Sequence, residues 1–450
     1  MSTRCLGGMI SPTAVSPTTA SAPGVWTLEQ ARYYITQNSW PISDLHWMSG
    51  LSASSLSLWG IDIDSYGNAY VTGTLGTSSL CLFIAKLNQG GVLQWIKQLG
   101  VSNTSGYAYS GYGVKVYGAN IVVSGSNSNA PYPYSGGQVA VYNTNGVLQS
   151  QKVFNGTSSE STYFNSCFAD ASNNTYFIGN VNSSGSGRMY TVKCDSSGAV
   201  LWQKLLTWGS GTVGISRGIT VDSSGNVYCT GYYNTSGGTG PDMLIAKYNS
   251  SGVLQWQKSI ANTTAGSNDG LYSVALDSSD NIYVAGYTDI SSGGGNRSLF
   301  IAKFNPSGTI QWQRIVALAS GSYASVRLDS ADNVYVSAYG VICKYNSSGT
   351  IQWQRSIAGV SFRSIACTTN NIYCVGDQLT VKLSTDGSGT GTYTVNGTSY
   401  TYAVSTYSEY AGSLVVSSGG LSDSSATFTP ATTYLCESTP TVTAGTTIVP

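Results

Sequence analysis

Charge is what this chain has least of. Of its 450 residues 20 are Lys or Arg and 20 are Asp or Glu, 9% together with a net charge of zero, and His46 is its single histidine. So few and so evenly balanced charges support neither an electrostatic grip on nucleic acid nor a polybasic membrane patch, and nucleic acid is not expected as a partner. Membrane insertion by a helix is not expected, since no apolar run approaches the roughly 20 residues of a spanning segment. The stretch Met1 to Ile10 lacks the apolar core of a secretory signal, which predicts synthesis and folding in a cytoplasm. Cysteine pairs are missing too. Cys5, Cys81, Cys167, Cys194, Cys229, Cys343, Cys367, Cys374 and Cys436 are scattered singly, odd in number and with no C-x-x-C, so buried free thiols are expected rather than a disulfide frame or a zinc site.

What is abundant points elsewhere. The 54 Gly and 32 Tyr, set among many Ser, Thr and Asn, describe a turn-rich all-β chain solvated by hydroxyls and amides. One stretch recurs: Asn249-Ser-Ser-Gly-Val-Leu-Gln-Trp256-Gln-Lys258 returns as Asn305-Pro-Ser-Gly-Thr-Ile-Gln-Trp312-Gln-Arg314 and as Asn346-Ser-Ser-Gly-Thr-Ile-Gln-Trp353-Gln-Arg355. Upstream it is Asp195-Ser-Ser-Gly-Ala-Val-Leu-Trp202-Gln-Lys204 and Asn88-Gln-Gly-Gly-Val-Leu-Gln-Trp95-Ile-Lys97, with a copy around Ser150 that has lost its Trp. From 202 to 256 is 54 residues, from 256 to 312 is 56, and from 312 to 353 is 41. Periods of this size suit propeller blades rather than solenoid coils of roughly 20 to 34 residues.

Each copy has the same parts. Around Trp256, strands are expected at Gly218 to Asp222, Asn226 to Gly231, Met243 to Tyr248 and Val253 to Lys258, each short, rich in β-branched and aromatic residues and bounded by turn residues. Asp222-Ser-Ser-Gly225-Asn closes the first pair and Asn249-Ser-Ser-Gly252 the last. Seven copies of this four-stranded antiparallel meander run from Ser57 to about Ser384, so the fold expected is an all-β seven-bladed β-propeller. The seventh copy has no Trp strand of its own. Because Trp47 lies 48 residues before Trp95, residues 45–51 are expected to supply the closing strand of blade seven, with Thr392-Tyr-Thr-Val395 as the alternative. The propeller then spans 45–384. Residues 1–44 form an arm with a short helix at about 28–37, marked by the capping pattern Thr27-Leu-Glu-Gln30. Residues 385–450 form a β-rich extension in which the repeat is no longer visible, free to pack on the propeller or on a neighbour.

In such a meander the tight turns share one face and the variable connections the other. Loops presented on a rigid scaffold make a binding surface. They carry Tyr107, Tyr109, Tyr132, Tyr134, Tyr232 and Tyr233 as candidate ligand contacts, beside Tyr112 and Trp208. The repeat tryptophans Trp47, Trp95, Trp202, Trp256, Trp312 and Trp353 read as packing between blades rather than a ring for a quinone cofactor. The recurring Asp222, Asp277 and Asp329 read as turn anchors rather than calcium ligands, for want of further acids. Arg217, Arg297, Arg327 and Arg363 stand apart in the chain without paired carboxylates, so sialidase-type hydrolysis is not expected, and His46 falls in the proposed closing strand. No catalytic residue, metal site or cofactor is assigned, and no enzymatic activity is expected.

The elements D-S-S-G-N-x-Y-V-x-G and N-S-S-G-x-x-x-W-x-K/R over Ser57 to Leu383 resemble the bacterial seven-bladed β-propeller repeat family, which implies fold more than activity. The segment Ala22-Pro-Gly-Val-Trp-Thr-Leu-Glu-Gln30, through Tyr33-Tyr34 to Trp40-Pro41, resembles one found near the N-termini of structural proteins of marine tailed phages, cyanophages among them. That resemblance implies a virion structural protein, a tail, fibre or surface component assembled in a host cytoplasm. Its implied partners are other virion proteins and sister copies, with a host-surface glycan or receptor as candidate ligand. A carbohydrate-binding, lectin-like propeller of bacterial or viral origin is the alternative.

Overall fold

The computed structural model describes residues 47–52, 56–75, 81–99, 109–127, 136–156, 160–183, 186–207, 214–234, 240–262, 266–289, 297–318, 323–418, 422–425, 430–431, 437–438 and 443–448. The expected arm and its helix at 28–37, and His46, lie outside these residues.

Seven antiparallel blades stand around a central axis. Their inner strands are Ser57–Ile63, Tyr109–Tyr117, Glu160–Ala169, Gly214–Val221, Asp269–Leu276, Ala324–Leu328 and the end of Ile351–Cys367, and each touches the next in cyclic order, the last touching the first. Blade five shows the pattern, with Asp269–Leu276, Ile282–Asp289, Arg297–Phe304 and Ile310–Val316 paired in sequence. Both faces of every blade are covered, which is why the second strands read as continuous apolar runs: all seven residues of Ala69–Leu75 are buried. The core is therefore distributed, one apolar cluster to each junction between blades. Tyr70, Leu82 and Ile84 of blade one meet Val114 and Ile121 of blade two, for example, and Tyr228 and Met243 of blade four meet Leu271 and Val284 of blade five.

The seam is closed by the N-terminal strand Trp47–Ser52. It pairs with Leu379–Ser384, with Met48 opposite Val381, and so forms the fourth strand of blade seven. Residues 392–395 go elsewhere: Gly391–Val395 forms a hairpin with Thr398–Val404 on the outer edge of blade six.

The recurring Trp joins neighbouring blades. The indole nitrogen of Trp312 donates to the Ser347 carbonyl of the next blade at 3.1 Å, and Trp353 does the same to Thr385. Above the Trp312 ring lies Gly349, with φ at 77° where the equivalent glycines run from 74° at Gly387 to 82° at Gly198; a methyl added there would sit 2.6 Å from the ring. Only Gly meets both conditions, positive φ and close approach. Trp47 makes the same contact with Gly91 across the seam. The Asp turns are anchored as expected, for Asp277 accepts from the backbone N–H of Ser279 and Asn281, the Asn281 amide and the Tyr283 hydroxyl, with Lys303 Nζ at 3.2 Å. Cys81, Cys167, Cys194, Cys229, Cys343 and Cys374 are buried free thiols and Cys367 a half-buried one.

The C-terminal extension takes one of its two expected places, on the propeller. It has a repeat of its own, seven residues long, and it packs on every blade. Thr398–Val404, Glu409–Ala411, Val415–Ser418, Ser422–Ser425, Pro430–Ala431, Glu437–Ser438 and Thr443–Ile448 add an outer strand to blades six, five, four, three, two, one and seven in that order. The register is strict: Arg355 faces Val404, Arg314 faces Ala411, Lys258 faces Ser418, Lys204 faces Ser425, and Ser49 faces Thr446, always a multiple of seven apart. In the sequence the same period places Tyr400, Tyr407, Leu414, Leu421, Phe428, Leu435 and Val442. Seven extended residues span about 23 to 25 Å, which is the reach of one step of the belt. This belt covers the outer edges that a propeller otherwise exposes.

Candidate functional site

The inner strands are not regular. In six blades a β-bulge interrupts the pairing with the second strand, and the extra residues are Trp59, Tyr112, Asn165, Arg217, Tyr272 and Arg363. A bulge re-aims one side chain at the expense of ladder bonds. All six line one cavity at the axis, of about 90 Å³, together with Tyr323, which precedes the inner strand of blade six. In that blade Ala324 pairs with Ala338 without a bulge.

The second strand makes room for each bulge with a glycine. A methyl on Gly179 would lie 1.7 Å from the Tyr163 carbonyl oxygen, and one on Gly286 would lie 2.0 Å from that of Gly270. The final Gly of the repeat element D-S-S-G-N-x-Y-V-x-G is thus the mark of the bulge. The bulged residue stands five positions before the first residue of the tight turn, as Arg217 does before Asp222 and Tyr272 before Asp277. Inner strands start from the variable connections between blades, so the bulges sit toward that end of the channel.

The bulged side chains form a connected cluster. Tyr272 and Tyr323 meet edge to face at 5.4 Å, Tyr323 and Trp59 at 5.4 Å, and Trp59 and Tyr112 at 5.2 Å. The Arg363 guanidinium lies 4.2 Å from the centre of the Trp59 ring and 5.6 Å from that of Tyr323, and the Arg217 guanidinium lies 4.9 Å from the Tyr272 ring. Stacking of this kind holds a guanidinium by its face and leaves the donors in its plane for other groups. Arg363 spends Nη1 on the Leu58 carbonyl at 3.0 Å and directs Nη2 to Asp377 at 3.5 Å. Its Nε, the Nε of Arg217 and the indole Nε1 of Trp59 are buried with no hydrogen-bond partner among the described residues. Arg327 also lines the cavity, its Nη1 donating to Val326 and Ser273.

Three phenols around the site, Tyr163, Tyr272 and Tyr287, are held in the protonated form. Burial pushes the Tyr272 hydroxyl well above its ordinary range, against the pull of Arg217, and burial raises Tyr163 likewise. Tyr287 is pushed up to about 12, again chiefly by burial, with Arg297 opposing.

Of the residues singled out from sequence, Tyr232 reaches this neighbourhood, its ring 6.4 Å from Tyr272. Tyr233 turns away and donates to Ser259 at 3.2 Å among the apolar contacts between blades three and four. Tyr109 opens the inner strand of blade two, while Tyr107, Tyr132, Tyr134 and Trp208 lie outside the described residues. The arginines need correction: apart in sequence, Arg217, Arg327 and Arg363 come together at the axis because equivalent positions of different blades converge there. Arg297 lies instead over Tyr287, 4.4 Å from its ring centre. Trp59, Tyr272 and Tyr323 were missed, and the five-residue offset from the turn was the signal that would have found the bulges. Among the described residues no group of three His, Cys, Asp or Glu is placed to hold a metal ion.

A family described as a beta-propeller repeat matches residues 202–235, which run from the outer strand of blade three through the first two strands of blade four. No curated protein matches the chain. Among solved structures, the chain is similar to Sqt1 from Chaetomium thermophilum at 12% identity, covering 73% of this chain and 95% of that one with a TM-score of 0.41. A gluconolactonase from Xanthomonas campestris matches at 13% identity over 62% of this chain and 90% of its own, with a TM-score of 0.37. A protein from Dyadobacter fermentans matches at 9% identity over 75% and 98%, with a TM-score of 0.43.

Proposed function

We propose that this chain is a non-enzymatic recognition module of a phage virion, carried on a tail or surface appendage, and that it holds its ligand at the channel mouth. One observation carries the reading: six inner strands give up ladder bonds to turn a residue into one cavity, where three guanidiniums and four aromatic rings collect. Closing the ring of blades does not need those bulges, whereas a site does. The belt and the strand at the seam supply the rigidity that a recognition site requires. The virion setting rests on the resemblance of residues 22–41, and a carbohydrate-binding propeller acting outside a particle shares the same site.

The full chain applied to a glycan array, with the glycans recovered and sized afterwards, tests this. The expected result is retention of one ligand class with no cleavage, lost in Tyr323→Ala. Cleaved glycans, or a Tyr323→Ala protein that binds like the parent, overturn it. Mass spectrometry of purified particles separates the two settings, since only a virion component contributes peptides in many copies.

A further inference from the structure

We infer that the ligand presents a carboxylate, and that it is an acidic sugar, a uronic acid residue at the end of a glycan. This rests on the reading of the channel mouth as a binding site and names what the site selects. Arg217 and Arg363 are fixed by their faces on Tyr272 and Trp59, and each keeps a buried Nε without an acceptor. The buried indole N–H of Trp59 is a third such donor. Among the described residues the cavity lining contains three arginines and no Asp or Glu, and Asp377 pairs with one of the three, so the local charge is positive. Buried donors without acceptors are costly, and an anionic oxygen pair in the cavity, drawing these side chains a short way toward it, satisfies several at once.

The size and lining choose among carboxylates. A volume of about 90 Å³ has space for several waters, at about 10 to 15 Å³ each, so it takes a carboxylate and the near edge of a ring rather than a whole oligosaccharide. Around the arginines the lining is hydroxyl and amide, with Asn165, Ser166, Ser273, Ser325 and Ser364, and these suit sugar hydroxyls. A peptide C-terminus with an aliphatic last residue needs an apolar pocket, for which the described lining offers Ile219, Val274 and Ala324. Aromatic walls complete a surface for the apolar face of a pyranose.

Isothermal titration of the full-length protein tests this with three probes: a glucuronate-terminated oligosaccharide, its methyl ester, and a peptide bearing a free C-terminal carboxylate. The acid is expected to bind about 10- to 100-fold tighter than the ester, the loss that follows removal of a charge-assisted contact. The acid is also expected to bind tighter than the peptide. Arg217→Met is expected to bring the acid down to the ester's affinity, and Arg217→Lys, which keeps the charge but not the planar fork, to restore part of it. Equal affinity for acid and ester overturns the inference and leaves the binding reading in place. Tighter binding of the peptide overturns it in favour of a polypeptide ligand. No binding of either sugar, with none on the glycan array, removes the site reading as well. The comparison of acid with ester needs only the parent protein, so a poorly folded variant does not shield the inference.

Discussion

Gln313 grips Leu414 at both ends of its side-chain amide: Nε2 donates to the Leu414 carbonyl and Oε1 accepts from its N–H, each at 3.1 Å. One blade away, Gln354 Nε2 donates to the Tyr407 carbonyl at 3.1 Å and to the Ser405 hydroxyl at 2.6 Å. Leu414 and Tyr407 are seven residues apart, and the two glutamines follow Trp312 and Trp353 in the repeat. The Gln after the Trp therefore fastens the belt, while the Trp before it fastens the next blade.

Gln313→Ala removes two hydrogen bonds, each worth about 0.5 to 1.5 kcal/mol. Hydrogen exchange is expected to rise at Glu409–Ala411 and near Leu414 while blade five stays protected. Unchanged exchange across 409–414 counts against the clamp.

Deleting the belt from Glu409 onward uncovers the outer edges of blades one to five and blade seven. Open edges template pairing between chains. Light scattering is expected to show self-association of the truncated protein at concentrations where the parent is dispersed, and a truncated chain as dispersed as the parent argues against edge protection.

Gly286→Ala tests the origin of the bulges. The added methyl would lie 2.0 Å from the Gly270 carbonyl, so the inner strand of blade five must move and Tyr272 with it. A stability loss of about 1 to 3 kcal/mol, the usual range for overpacking, is expected with loss of ligand binding, although Gly286 does not line the cavity. Retained binding at full affinity would show that the site does not depend on the bulge.

Stability should depend on pH in two windows. At Asp170 and Asp277 burial works against ionisation, but hydrogen bonds from Asn174 and Tyr176, and from Asn281 and Lys303, outweigh it and hold both carboxyls below their ordinary value. Their contribution is present above the unfolded value near 4 and is lost as pH falls through the folded one. Asp242 runs the other way. Burial, then the charge of Asp269, raise it to about 6, so its contribution is lost as pH rises from about 4 through 6. Asp242→Asn is expected to flatten the melting temperature between pH 4 and 7 relative to the parent, leaving the decline below pH 4 in place.

Much of the propeller was legible because its parts repeat in the chain. The Trp spacing reports the blades, the Gly of each Asn-Ser-Ser-Gly turn reports the contact with the Trp ring, and the position of Trp47 reports the seam strand. The site was less legible. Each blade contributes one bulged residue, these differ in type from Trp59 to Asn165 to Arg363, and only closure of the ring makes them neighbours. Tyrosines in the connecting loops drew attention by their density, yet Tyr233 packs between blades. The belt was missed for another reason: its period of seven sets one apolar residue among small polar ones, which resembles neither the alternation of a strand nor the long repeat of the blades.

Recognition is placed at the channel mouth, and Arg217 is the residue that tests it most directly. Binding of the glucuronate-terminated oligosaccharide should be measured by titration for the parent, for Arg217→Met and for Tyr233→Phe, the last altering a tyrosine of the loop face whose hydroxyl bonds Ser259. The expected result is near-parent affinity for Tyr233→Phe and a loss of about 10-fold or more for Arg217→Met. Full affinity in Arg217→Met would contradict recognition of the ligand at the channel mouth.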